Sequence, residues 1–368
     1  MVLWKPGEGM PVFSTELQKK LQTISQGCLG EQCKACAREC LMLEELGSTP
    51  GRLLTEVDET GRIDPLIPYS CNLCGKCRKV CPQGFPLQEV FQGIRNELVA
   101  NNCGPLKQLG PILMHQRFSY SSIFTGSFAA KNGKTRTVFF PGCSLSAYYP
   151  DAVGKLYRHL GENLDGVGAL LTCCGKPTKA IGQQALFKQK LGTVLAEIRS
   201  LGAVEVVTAC QSCYKILCDY ASEAIPGLSV KSLWVVLDEI GLPKSVFPEH
   251  ACCGGDKTVA IHDSCVTRDE DSIHHAVRNI VSRLGYGIEE MPNSRSLTRC
   301  CGQGGMIVPV NPALAGRVMR RKAESQAEQI VTYCAACEAS MTLDGKTGLH
   351  IVDLLFRENL QDKSLAKV

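Results

Sequence analysis

Cys300-Cys301-Gly302-Gln303-Gly304-Gly305 is the stretch on which the reading of this chain turns. A vicinal cysteine pair followed by three glycines within four residues is a poor packing element. Its side chains are small, and its backbone is free to approach something bulky closely. Cys265 stands upstream, and Cys334 with Cys337 downstream. The same order occurs earlier as Cys143, then Cys173-Cys174-Gly175, then Cys210 with Cys213. The second set follows the first by about 125 residues, which implies a duplicated domain rather than a short-period solenoid.

With 368 residues, 44% of them hydrophobic, the chain can bury an ample core in two or three domains. Twenty-two cysteines would mean a disulfide framework in a small secreted protein. This chain is too long to need such staples, and its cysteines fall in Cys-x-x-Cys clusters too tight for most disulfide geometry. The N-terminal Met1-Val2-Leu3-Trp4-Lys5-Pro6-Gly7 lacks the basic-then-apolar layout of a signal peptide. No apolar run approaches the roughly 20 residues needed to span a bilayer. The expectation is a cytoplasmic, reducing compartment with metal-bound thiolates. The formal charge of +4 carries no message about partners if the thiolates hold anionic metal clusters, since a four-thiolate iron–sulfur cubane would add about −2 when oxidised. With 6% aromatics and no Lys/Arg block interleaved with them, nucleic-acid binding has little support.

To about residue 100 the pattern is helical. Ser14 or Thr15 can cap a helix carrying Leu17, Leu21 and Ile24, and a second helix runs from the cysteines through Leu41, Leu43 and Leu46 to stop at Gly47. A third runs from Leu87 through Val90, Phe91 and Ile94 toward Leu98. Residues 103–135 read as a connector whose Phe118–Phe124 stretch either packs between domains, the preferred reading, or docks on a partner or membrane. Beyond it strands alternate with helices. Val138-Phe139-Phe140 precedes Cys143, Ala169-Leu170-Leu171 precedes Cys173, and Val204–Val207 precedes Cys210. In the second copy Val259–Ile261 precedes Cys265, Tyr286–Met291 leads toward Cys300, and Ile330–Thr332 precedes Cys334. Amphipathic helices are expected over Ala185–Leu201, His274–Leu284 and Pro312–Glu328. This alternation predicts a mostly parallel sheet, with ligands at the carboxyl edge of its strands. Two metal sites, one per copy, follow.

Near the N-terminus stand Cys28-x4-Cys33-x2-Cys36-x3-Cys40 and Cys71-x2-Cys74-x2-Cys77-x3-Cys81-Pro82. The latter is the bacterial ferredoxin run, in which the fourth cysteine ligates the other cluster. By that rule Cys71, Cys74 and Cys77 pair with Cys40, while Cys28, Cys33 and Cys36 pair with Cys81, giving two [4Fe-4S] cubanes. The former run departs from the usual spacing, and Leu41 replaces the proline; Gly30 lets its longer loop bend back. A zinc site is the alternative, disfavoured by the eight-thiol count and the Cys-Pro ending.

These helices around eight cysteines resemble the α-helical ferredoxin domain. Together with the doubled Cys…Cys-Cys-Gly…Cys-x-x-Cys pattern, the chain from about residue 25 to about 355 resembles the CCG-domain family. That family includes the disulfide-cleaving subunit of heterodisulfide reductase and the iron–sulfur subunits of anaerobic glycerol-3-phosphate dehydrogenase and glycolate oxidase. The resemblance implies a ferredoxin domain over 1–102, the connector, and α/β CCG domains over 136–250 and 251–368. It also implies two noncubane [4Fe-4S] clusters that face one another and take one sulfur each from a substrate disulfide. One would lie on Cys143, Cys173, Cys174, Cys210 and Cys213, the other on Cys265, Cys300, Cys301, Cys334 and Cys337, and neither set has a substituted position. The family often has proline between Asp and Cys in the second copy, where this chain has Asp263-Ser264-Cys265; that touches loop conformation rather than ligation.

Splitting a disulfide needs two electrons, which cubanes deliver one at a time, and a metal stabilises the thiolate leaving group. The expected function is therefore disulfide reduction fed through the cubanes by a separate flavoprotein or other donor, since no dinucleotide motif is present. The alternative is a non-catalytic subunit passing electrons from a flavin dehydrogenase to quinone, with peripheral membrane association through a partner. His262 reads as a proton donor near Cys265 or, preferably, as a strand-end histidine bonded to backbone. Lys176 reads as an anion-attracting or simply solvated lysine. Cys252-Cys253 reads as a redox thiol or substituted ligand or, preferably, as an interdomain loop, and Cys103 and Cys218 read as small buried residues.

Overall fold

The computed structural model describes residues 13–243, 258–323 and 325–356. The Cys252-Cys253 pair therefore lies outside the described residues. The chain divides into two compact units, one comprising residues 13–116, Pro177–Phe187 and Arg299–Lys322, the other drawn from Arg117–Lys176, Lys188–Thr298 and 323–356.

The first unit is helical, with no strand among its described residues. Ser14 caps the helix Thr15–Gly27, its hydroxyl accepting from the Leu17 amide at 3.4 Å, and the helix buries Leu17, Leu21 and Ile24. Against it packs a helix over Pro50–Thr60 that the sequence reading passed over. Its signals were present: Thr49 as N-cap, Pro50 in the first turn and Gly61 in the left-handed region after the last (φ 62°). Leu87–Ala100 completes the core with Val90, Phe91, Ile94 and Leu98. Ile181, Ile307, Val310 and Leu314 join the same core, so Pro177–Phe187 and Arg299–Lys322 are integral to this unit. The single helix expected through Leu46 is instead two short ones, Ala35–Glu39 and Leu41–Glu45. They are split at Cys40, whose extended backbone (φ −125°, ψ 108°) leaves the helical path.

The second unit holds two sheets over one core. Strands β1 (Gly126–Phe128), β2 (Thr137–Phe140), β3 (Val167–Leu171), β4 (Glu205–Thr208) and β5 (Ser229–Ser232) order as β1-β3-β2-β4-β5. All neighbours are parallel except the β1–β3 pair. Strands β6 (Thr258–His262), β7 (Gly287–Glu290), β8 (Gln329–Thr332) and β9 (Thr347–His350) order as β7-β6-β8-β9, all parallel. Without β1 the two orders are the same, as a duplicated α/β domain with mostly parallel sheets requires. Phe139, Val207, Trp234, Ile261, Val277 and Val331 share the core. The helix expected over Pro312–Glu328 ends at Lys322.

The Phe118–Phe124 stretch belongs to the second unit. Phe118, Ile123 and Phe124 are 56%, 83% and 61% exposed, and the two phenyl rings meet each other edge-to-face, 6.1 Å apart. Among the described residues no helix is long and apolar enough to cross a membrane.

Candidate metal centre

In the first unit the eight thiols line two separate cavities. Cys40, Cys71, Cys74 and Cys77 line one, with Leu43, Leu87 and Phe91. Cys28, Cys33, Cys36 and Cys81 line the other, with Pro50 and Phe85. The run 71–77 curls around its cavity because Leu73 (φ 52°) and Gly75 (φ 71°) turn left-handed, and the Leu73 amide donates to Cys71 Sγ at 3.3 Å. After the one-turn helix Lys76–Val80, Cys81 lies beyond that cavity and on the other. The break at Cys40 does the reverse for its run. Gly51 leaves room for Cys28, since a Cβ there would fall 2.7 Å from the cysteine's own Cβ.

Burial is the leading influence at Cys36, Cys40, Cys71 and Cys77. It pushes Cys40 up to about 12, helped by the neighbouring Cys71 and Cys74, and Cys36 up to about 11, helped by Cys28 and Cys81. Cys77 is pushed well up in the same way. Thiols raised in this way become thiolates when a cation or cluster stands among them. Each cavity gathers four soft sulfur donors, and the first also has Glu39, Lys76, Arg299 and Arg321 in its wall; four thiols with cations beside them fit an anionic iron–sulfur cluster.

The first five-cysteine set gathers within the second unit. Cys143 opens the helix Cys143–Tyr148 after β2. Cys173 and Cys174 follow β3, and Cys210 precedes the helix Gln211–Ala224, whose first turn carries Cys213. The thiols form a hydrogen-bonded chain: Cys173 with Cys143 and Cys174, Cys174 with Cys213, and Cys213 with Cys210. Hydrogen bonds from Cys173 and Cys213 draw Cys174 down to about 6 against its burial. Gly142 makes the gathering possible. Its φ is +84°, and a Cβ there would fall 2.7 Å from Cys210 Cβ and 3.1 Å from Cys213 Sγ.

The second set is distributed over the two units. Cys265 begins a single 3-10 turn after β6, and Cys334 follows β8 and leads into the short helix bearing Cys337. Cys300 and Cys301 belong to the first unit, where Cys300 lines the cavity of Cys40, Cys71, Cys74 and Cys77. The two vicinal pairs share a local device. The Gly302 amide donates to Cys300 Sγ at 3.4 Å as the Gly175 amide does to Cys173 Sγ at 3.5 Å, with φ of 89° and 82° at those glycines.

Two supports escaped the sequence reading. Buried Asp263, two residues before Cys265, pairs with Arg278 at 3.0 and 2.9 Å, accepts from the Arg295 amide at 2.6 Å and meets the Tyr333 hydroxyl at 3.3 Å. Burial works to raise its pKa, but Arg278 outweighs it and holds the carboxylate below its ordinary range. Tyr333 in turn accepts from the Ser264 amide at 3.1 Å, so the loop without the family proline is fixed by hydrogen bonds. Asp263→Asn is expected to lower stability by about 3 kcal/mol, the cost of breaking a buried pair, measured by urea unfolding at pH 7. Arg95 is the other support: an arginine on the apolar face of Leu87–Ala100, beside Phe91, Ile94 and Leu98, a signal visible in the helical repeat.

His262 is buried at the end of β6, and Lys176 is half-buried. Cys103 is half-buried, and Cys218, expected inside, is exposed. One residue past the buried Ile216 and Leu217, it has turned off the apolar stripe of its helix. A maleimide is expected to label Cys218 in the native protein while sparing the buried Cys173, Cys174 and Cys213, as read by peptide mapping.

The Cysteine-rich domain family, CCG, matches residues 137–217 and 259–342, and the 4Fe-4S dicluster domain family matches residues 28–86. The chain is 25% identical to an uncharacterized iron-sulfur protein of Methanococcus maripaludis over 90% of its own length and 69% of the relative's. It is 25% identical to one subunit of the dihydromethanophenazine:CoB–CoM heterodisulfide reductase of Methanosarcina acetivorans, over 76% and 73%. With one subunit of the fumarate reductase (CoM/CoB) of Methanothermobacter marburgensis the identity is 24%, over 93% and 71%.

Proposed function

Because the chain belongs to the CCG cysteine-rich family, with a 4Fe-4S dicluster domain ahead of its two CCG copies, and is an iron–sulfur oxidoreductase-type subunit related to one of heterodisulfide reductase, we propose that it reduces a disulfide. Cys40, Cys71, Cys74 and Cys77 would hold one cubane, and Cys28, Cys33, Cys36 and Cys81 the other. The five cysteines of each CCG copy would hold a noncubane [4Fe-4S] cluster. Bound there, the clusters supply one-electron carriage in the dicluster domain and thiolate-stabilising charge at the CCG sites. A disulfide takes up two electrons and two protons to give two thiols. The electrons come from a separate donor protein, such as a flavoprotein, with which this chain works in a complex.

The observation that carries the reading is the complete set Cys143, Cys173, Cys174, Cys210 and Cys213. Three strand ends bring all five sulfurs together, and Gly142 leaves space beside them. A scaffold that only relayed charge through the dicluster domain would have no need to keep five thiols at one sheet edge. The protein's part there is to fix the sulfurs on rigid strand ends and to exclude water from buried Cys173, Cys174 and Cys213.

One observation favours a second reading, that of an electron carrier between a flavin dehydrogenase and quinone: exposed Phe118, Ile123 and Phe124 would suit a chain that docks on a membrane-bound partner. Reduced viologen separates the two. Supplied with it anaerobically, the protein is expected to release free thiols from a panel of small disulfides. Quinone reduction with no thiol release would overturn the first reading for the second.

A further inference from the structure

We propose that Arg95 is a positioning residue of the cubane held by Cys40, Cys71, Cys74 and Cys77: it adds a buried counter-charge behind the ligand loop, beyond buried Lys76 that lines the cavity itself, and ties that loop to the loop bearing Cys300 and Cys301. The proposal rests on the reading that those four thiols hold a [4Fe-4S] cluster.

Arg95 is fully buried, and every N–H of its guanidinium is used. Nε and one terminal nitrogen donate to the Pro68 carbonyl at 2.9 and 2.7 Å. That same terminal nitrogen reaches the Cys71 carbonyl at 2.6 Å, and the other reaches the carbonyls of Ala180 and Gly305 at 2.7 Å each. The group also lies over the Tyr69 ring, 4.9 Å from its centroid. All of these bonds end on backbone carbonyls, none on a carboxylate. A buried charge without an opposite charge is costly, and five neutral contacts solvate a guanidinium without neutralising it. A four-thiolate cluster, at about −2 oxidised and one unit more negative reduced, is the counter-charge that this site lacks. The bond to Cys71 puts the cation on the first ligand of the run.

The same guanidinium joins two loops. Its Cys71 and Gly305 bonds hold the two carbonyls together, and the backbones there are in close contact. A Cβ on Gly305 would fall 2.2 Å from the Cys71 carbonyl oxygen, and one on Gly304 2.5 Å from that of Asn72. Asn72 Nδ2 donates to the Gly304 carbonyl at 3.3 Å. These contacts explain why glycines follow the vicinal pair, and they hold Cys300 against the cavity of the four thiols. A lysine could keep the charge but not make five bonds.

A buried cation favours the more negative, reduced cluster, so removing it should lower the cluster's potential. The test is an EPR-monitored redox titration of the full chain, loaded anaerobically, as wild type, Arg95→Gln and Arg95→Lys, with iron counted in each. Arg95→Gln is expected to shift the one-electron equilibrium of one cubane about tenfold toward oxidised, or about 59 mV lower. Arg95→Lys should move it by less than a third of that. A wild-type potential in iron-replete Arg95→Gln, or equal shifts in both variants, would overturn the proposal. If Arg95→Gln fails to load, Arg95→Lys decides: a near-wild-type potential supports the proposal and a tenfold fall overturns it. Wild-type protein that binds no iron at these four cysteines would instead sink the cluster assignment itself.

Discussion

If the chain reduces a disulfide as proposed, Cys301→Ser is expected to abolish that turnover while leaving in place any iron bound by the eight thiols of the first unit. Serine keeps the shape of the side chain but offers a hard hydroxyl in place of a soft thiolate, so it cannot replace the sulfur on iron. Cys301 is buried at 3% exposure and, unlike Cys300, does not line the cavity of Cys40, Cys71, Cys74 and Cys77. Its loss should therefore spare the cubanes. Changing only a partner of a metal ligand already costs about 10–100-fold, so loss of a ligand should exceed about 100-fold. The check is viologen-driven thiol release set against iron content. Unchanged turnover would count against the CCG site as the place of chemistry.

Gly142→Ala should be nearly as damaging, though it touches no ligand's chemistry. The backbone there has φ of +84°, which costs a residue with a Cβ about 1–2 kcal/mol, and the new methyl would fall 2.7 Å from Cys210 Cβ. The loop after β2 must then move away from the start of the helix that carries Cys213, and the five sulfurs separate. We expect the variant to lose about four of about 16 irons and most of its turnover. Gly154→Ala is the control. That glycine lies in the helix Pro150–Asn163, and a Cβ added to it would meet nothing within 4 Å. Alanine there should leave iron unchanged and stabilise by about 1 kcal/mol.

Much of this was legible in the chain. Strands ending just before Cys143, Cys173, Cys210, Cys265 and Cys334 stand out because each is a short apolar run that stops within a few residues of a cysteine. The matching strand orders follow from the repeated cysteine spacing. What escaped has physical causes. β5 and β9, Ser229–Ser232 and Thr347–His350, are polar or glycine-containing, and parallel pairing with a neighbour forms them rather than any pattern of their own. The helix Pro50–Thr60 had cap signals but was overshadowed by the cysteines on either side. The break at Cys40 cannot be read from helical periodicity, because it serves the direction of one thiol. The packing of Arg299–Lys322 into the helical core depends on Ile307, Val310 and Leu314 meeting distant partners, which linear spacing does not encode. Arg95 was visible as a charge on an apolar helix face, but its meaning lies in carbonyls 24 to 210 residues away along the chain, from Cys71 to Gly305.

Whether paired CCG clusters act on sulfur is decided most plainly by iron quantitation with EPR on anaerobically purified protein, before and after adding a thiol. Two cubanes and two CCG clusters require about 16 irons, four per cluster, and a signal that changes when the thiol is added. About eight irons, all behaving as cubanes and indifferent to thiol, would contradict them.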